Sequence, residues 1–150
     1  MHFSTIFLLK GATLEDTSES DIIADFYDKF CYGCGEHRPK YQHWCDWFQI
    51  GGRWCDMFVA KKGLCCDRNY PNKGEPIIPN HFSIVEIKDL TEPIEKERIY
   101  AVATRSRIYQ SSNDWGGSEN GVNKDKYNEL IDKINNKEIK GVIALIDCHD

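Results

Sequence analysis

The last ten residues, "GVIALIDCHD", are apolar at every position from Val142 to Ile146. Successive side chains of a strand point to opposite faces, so a run that is apolar on both must be covered on both. Such a strand belongs in the middle of a sheet, and the rest of the chain has to supply the layers around it. "HFSTIFLLK" near the start reads as a second buried strand. "SDIIADFYDKF" predicts a helix, because Ile22, Ile23, Phe26, Tyr27 and Phe30 fall on one face and Ser20 stands where an N-cap is needed. A second helix is predicted from Tyr127, Leu130, Ile131 and Ile134 at i, i+3, i+4 and i+7, with Asn123 as cap and Asn135 and Asn136 as terminators. "HFSIVEI", "IYAVAT" and "RIYQ" have strand composition, and "IIPN" and "DWGGSENG" supply the punctuation between elements. The expected fold is α+β: an antiparallel or mixed β-sheet packed by two helices, with a cysteine-rich, zinc-binding insertion.

The chain has 150 residues, 41% of them hydrophobic, which is enough for one domain with a core of its own. Residues 1–150 are therefore expected to form a single domain, with 31–73 as a cysteine-rich excursion inside it. No segment approaches the roughly 18 apolar residues of a membrane span. The opening "MHFSTIFLLKG" lacks the basic flank and small-residue cleavage site of a secretory signal, so a cytoplasmic location is expected.

That location bears on the seven cysteines, at positions 31, 34, 45, 55, 65, 66 and 148. In a reducing compartment, clustered thiols point to a metal more than to disulfides, and an odd number cannot pair completely. Cys31-Tyr-Gly-Cys34-Gly has the spacing of a knuckle whose glycines let two thiolates face one tetrahedral ion. The favoured ligand set is Cys31 and Cys34 with Cys65 or Cys66. A compact alternative completes the site with His43 and Cys45, and His37 is a further nearby candidate. The competing expectation is that these thiols are small buried hydrophobes. A closed thiolate site leaves no position for water, so the ion, Zn2+, would be structural and would order the irregular stretch from 31 to 66.

Charge is distributed unevenly. The first thirty residues carry six acids against two bases, and the net charge is −5. Nucleic-acid binding needs clustered Lys and Arg, so direct contact with nucleic acid is not expected. Glu15, Asp16, Glu19, Asp21, Asp25 and Asp28 gather around the first helix. They read either as a solvated face or as a docking surface for a basic partner.

"DWFQIGGRW" admits two readings. In one, Trp44, Trp47 and Trp54 pack over the sheet while the glycines take backbone angles other residues avoid. In the other, Gly51, Gly52 and Arg53 form a small anion pocket. "DCHD" contains the residue types of a thiol nucleophile with its base, but on a strand Cys148 and His149 point apart while Asp147 and His149 share a face. Structural use is expected there, and catalysis is not. His2 and His81 carry no signal of their own.

"MHFSTIFLLK", "HWCDWFQIGGRW", "YAVATRSRIYQSSNDWGG" and "LIDCHD" follow one another in an order that resembles a family of small bacteriophage proteins sharing a DWY-x-IGGRW block and a C-terminal Asp-Cys-His. The resemblance spans most of the chain and implies a phage origin, a common fold and a bacterial host cell as the setting. This chain has Ser106-Arg107 where the family's hairpin turns on Asp-Gly, which weakens the expectation of a hairpin there. The cysteine-rich stretch before the tryptophan block is also particular to this chain or subgroup. The size, acidity and insertion are similar in profile to metal-binding anti-CRISPR proteins. That similarity implies a viral inhibitor whose partner is a host defence protein, a basic type II CRISPR effector nuclease, blocked from loading nucleic acid by an acidic surface. Two alternatives are a nucleotide-binding enzyme or signal sink using Arg53 and the Asp147/His149 face, and a phage accessory or regulatory protein with a purely structural metal.

Overall fold

The computed structural model describes residues 1–31, 44–54, 57–65, 78–111 and 120–150. Its centre is a pair of nine-residue antiparallel strands, β1 (His2–Lys10) and the last strand, β8 (Gly141–His149), in register from His2 opposite His149 to Lys10 opposite Gly141. Both are buried along nearly their whole length, as the continuous apolar runs require. The other strands are β2 (Trp47–Ile50), β3 (Phe58–Val59), β4 (His81–Phe82), β5 (Ile84–Glu86), β6 (Ala101–Ala103) and β7 (Ile108–Gln110). The main sheet runs β2-β8-β1-β6-β7, while β5 also pairs with β8, next to β2 along the same edge. Among the described strands only β1 and β6 pair in parallel, so the sheet is mixed and mostly antiparallel, with β3 and β4 forming a separate two-stranded ladder.

Two helices, α1 (Glu19–Phe30) and α2 (Asn120–Asn135), accompany the two faces of this sheet. Phe3, Phe7, Leu9, Ala144, Ile146 and Cys148 join Ile22, Phe26 and Phe30 of α1 in one apolar cluster. Ile6, Leu8, Ile143 and Leu145 join Tyr127, Leu130, Ile131 and Ile134 of α2 in another. Alternating residues of the same two strands thus feed opposite cores, each fully buried Leu, Ile or Phe contributing about 1.5–3 kcal/mol. The α1 side is aromatic: Phe7 meets Phe26 and Phe30 edge-on at 5.3 and 6.1 Å, and Phe26 meets Phe48 at 4.8 Å.

Some boundaries differ from the sequence expectation. α1 is capped by Ser18, whose hydroxyl accepts the Asp21 N–H at 3.1 Å, and Ser20 lies inside the first turn. The helix therefore begins two residues earlier than expected, and Glu19 and Asp21 meet its positive end ahead of the apolar stripe. Asn123 likewise falls within α2, which starts at Asn120. Tyr27 is 37% exposed, so the buried stripe of α1 is the narrower Ile22–Phe26–Phe30 row.

The β6–β7 hairpin forms without the Asp-Gly pair. Thr104 does the work of the missing turn residues: its N–H donates to the Arg107 carbonyl at 2.8 Å, and its hydroxyl accepts from the amides of Ser106 and Arg107 at 3.3 and 3.2 Å. The zinc-binding insertion is a different matter. Cys34, His37, His43, Cys55 and Cys66 lie outside the described residues. Among the described residues, no group of three or more His, Cys, Asp or Glu is arranged to hold a metal ion. No described helix is long and apolar enough to cross a membrane.

Candidate functional site

The described cysteines divide between the two cores. Cys31 and Cys45 face each other in a short parallel bridge, and Cys45 also hydrogen-bonds Cys148, so three thiols meet in the α1-side core. Trp44 closes this pocket, its indole N–H donating to the Thr5 hydroxyl at 3.0 Å, and the Cys148 thiol lies 3.6 Å from the same oxygen. Cys65 sits in the other core, its thiol donating to the His81 carbonyl at 3.3 Å. Of the two ligand sets expected from the sequence, the structure brings together the Cys31–Cys45 pair of the compact one and puts Cys65 across the sheet.

Hydrogen bonding between Cys31 and Cys45, followed by burial, holds the Cys31 thiol well above the usual range. Cys45 is raised too, chiefly through its hydrogen bond with Cys148. Both are protonated at neutral pH without a cation beside them. A thiolate is the nucleophile and the metal ligand, so these two thiols are chemically quiet until something displaces their protons.

The second place is the end of the sheet where β1 begins and β8 finishes. Asp147 and His149 share the α2-side face, as expected, but they do not bond each other. Asp147, 1% exposed, accepts His2 Nδ1 on Oδ1 at 2.9 Å and the Arg53 backbone N–H on Oδ2 at 3.1 Å. His149 Nδ1 lies 3.0 Å from Asp46 Oδ1. The Gly51-Gly52-Arg53 turn explains the first arrangement. Both glycines have positive φ, 78° and 56°, which wraps the chain around the Asp147 carboxylate as a short 3-10 turn, Gly52–Trp54. The anion expected at this turn is thus supplied by the chain itself, in the carboxylate of Asp147. The Arg53 side chain is exposed, and so is Trp47, whereas Trp44 is buried and Trp54 packs against the α2-side core.

Sequence reasoning passed over His2. The signal that could have found it is the pairing of the two terminal strands, which sets His2 directly opposite His149. Their rings meet edge-on at 5.1 Å.

The third place is the acidic surface. Asp16, Asp21, Asp25 and Asp28 line one open groove of about 610 Å³ together with Thr13, Thr17 and Arg105. Glu15 is exposed and Glu19 half-buried; neither lines the groove. Asp25 pairs with Lys29 one turn on, and the Arg105 guanidinium donates to the Lys10 carbonyl. The floor comes from the β1–α1 connection, which is pinned by the Leu14 N–H donating to Glu86 Oε1 at 2.7 Å. That bond, more than the nearby Lys88, holds the Glu86 carboxyl below its ordinary range.

The chain matches no family model, no curated protein and no solved structure.

Proposed function

We propose that this chain acts by docking a basic protein against the acidic face of α1, as an inhibitor of a nucleic-acid-binding protein. In its sharpest form the reading is that of a phage-encoded anti-CRISPR protein in the bacterial cytoplasm, occupying the lobes of a type II effector nuclease that would otherwise load guide or target strands. The observation that supports it is the shape and charge of the α1 surface: Asp21, Asp25 and Asp28 of the helix and Asp16 of the connection before it line an open groove, with Arg105 and Lys29 as nearby cations. Such a surface complements a Lys- and Arg-rich cleft and speeds encounter with it.

A structural Zn2+ belongs to the same proposal. The contact between Cys31 and Cys45 favours the compact ligand set, Cys31, Cys34, His43 and Cys45, over the one that reaches to Cys65 and Cys66. The ion would tie Cys31, at the end of the first helix, to Cys45 and take no part in chemistry.

Association of the purified chain with a type II effector nuclease, free and loaded with guide RNA, tests the reading. The expected result is binding that competes with nucleic acid, weakens with salt, and falls at least tenfold when Asp16, Asp21 and Asp28 are replaced together by Lys. Affinity unchanged by that triple reversal, in a variant that keeps its fold, removes the acidic face from the mechanism. Absence of any association removes this target.

A further inference from the structure

We propose that His2 and His149 form a two-histidine site for a divalent transition-metal ion of the zinc or cobalt type, with water completing the coordination. The inference is independent of the α1 surface and of the thiol cluster.

Three observations carry it. The two histidines are directly opposite one another on the antiparallel β1–β8 pair, so their side chains leave the same face of a rigid sheet. Each ring has its Nδ1 on a carboxylate, His2 on buried Asp147 at 2.9 Å and His149 on Asp46 at 3.0 Å. A neutral imidazole that donates Nδ1–H to a carboxylate keeps its lone pair on Nε2, and this arrangement orients metal-binding histidines and raises their basicity. The rings are also spaced for chelation. Two imidazoles bound to one tetrahedral ion at about 2.0–2.1 Å through nitrogen have their centroids roughly 5 Å apart. The observed separation is 5.1 Å.

The surroundings suit a cation. Asp46 and Asp147 bring two negative charges within hydrogen-bond distance of the pair, and both rings reach solvent, with the side chains of His2 and His149 24% and 41% exposed. Trp47, next to His149 on β2 and 6.2 Å from the His2 ring, walls one side. Ordinary structural use of a surface histidine pair does not require two separate carboxylates, one of them buried and held from behind by the Arg53 amide.

Titration of the full-length protein with Co2+, followed through the imidazole nitrogen and ring-proton signals of all five histidines, tests the proposal. Paramagnetic shifts or broadening are expected to appear on His2 and His149 together and to follow a single binding curve for one ion at this pair, with His81 unaffected in that range. His149→Ala is expected to raise the Kd for this site at least tenfold. Asp46→Asn, an exposed change that keeps both histidines, should raise it about tenfold by loosening the His149 ring. Failure of His2 and His149 to respond together, or an affinity for the pair that His149→Ala leaves unchanged, overturns the site. Metal held only by the cysteine-rich segment does the same, and it would perturb His37 and His43 instead.

Discussion

Gly52 lies against the carboxylate of Asp147 so closely that a Cβ at position 52 would stand 2.3 Å from Oδ2. The same atom would come within 2.6 Å of the Asp147 Cβ and of the Gln49 amide nitrogen. Asp147 cannot swing aside, because it is buried and its other oxygen holds His2. Gly52→Ala therefore meets both a left-handed backbone and a filled space, and a loss of about 2–4 kcal/mol is expected. For a domain of this size that is a fall in Tm of roughly 5–10 °C. Gly11→Ala is the control, since Gly11 also has positive φ, 82°, but opens onto empty space; it should cost only about 1–2 kcal/mol. Equal losses in the two variants, measured by thermal melting, would show that the Gly-Gly-Arg turn is not packed on Asp147.

The same contact shows where reading the sequence succeeds and where it stops. Periodicity reveals elements that bury their own residues: the double-faced run 142–146, the stripe Ile22–Phe26–Phe30, and the Tyr127–Ile134 face all lie where their spacing puts them. Fold class follows from those alone. Pairing between distant segments leaves no periodic trace, so neither the wrapping of Asp147 by Gly52 nor the meeting of His2 with His149 could be read from local pattern. The thiols illustrate the same limit. Cysteine spacing suggests partners close in sequence, but which face of the sheet each thiol reaches depends on strand order. That order puts Cys148, over a hundred residues away, beside Cys45 and sends Cys65 to the opposite core.

Glu86 gives the chain an acid-sensitive anchor. Its carboxylate accepts the Leu14 N–H, which lowers its pKa in the folded state below the ordinary glutamate value of about 4.3. A depressed folded-state pKa means stabilisation that is fully present above the unfolded value and lost as pH falls through the folded one. Chemical denaturation between pH 7 and pH 3 should show wild-type stability declining below about pH 5. Glu86→Gln should be less stable than wild type at pH 7 and should decline less over the acid limb. Parallel pH profiles for the two proteins would mean that the Leu14 contact does not discriminate between the protonation states.

Tyr127 links α2 to the segment that leads into β6. Its hydroxyl lies 2.8 Å from the Ile99 carbonyl and 2.9 Å from that of Lys96, in a site where burial pushes the phenol above its ordinary range. One hydroxyl proton is thus shared between two carbonyls that have little water to turn to. Tyr127→Phe keeps the ring in the α2-side core and removes only this donor, so a loss of about 1–2 kcal/mol is expected. Urea denaturation should show the midpoint falling with an unchanged m-value. No shift in midpoint would assign the residue's whole contribution to its ring.

Thiol chemistry separates the two ligand sets without disturbing the fold. Cys31, Cys45 and Cys148 are buried, with Cys45 bonded to both of the others; Cys31 is kept protonated at neutral pH by Cys45 and by burial, and Cys45 by Cys148 and by burial. Alkylation requires an exposed thiolate, so all three should resist iodoacetamide at pH 7.5 in the metal-free native protein and react promptly once it is denatured. Cys34 reports on the ion. If Zn2+ binds Cys31, Cys34, His43 and Cys45, adding it should slow alkylation of Cys34 and raise thermal stability, and Cys45→Ser should abolish both effects. Cys65→Ser should leave both intact, because that thiol lies in the other core, bonded to the His81 carbonyl. Site-by-site mass spectrometry reads each outcome directly. Zinc protection that survives Cys45→Ser but disappears with Cys65→Ser would return the site to the wider set, and would require the chain between the two cores to rearrange on binding the ion.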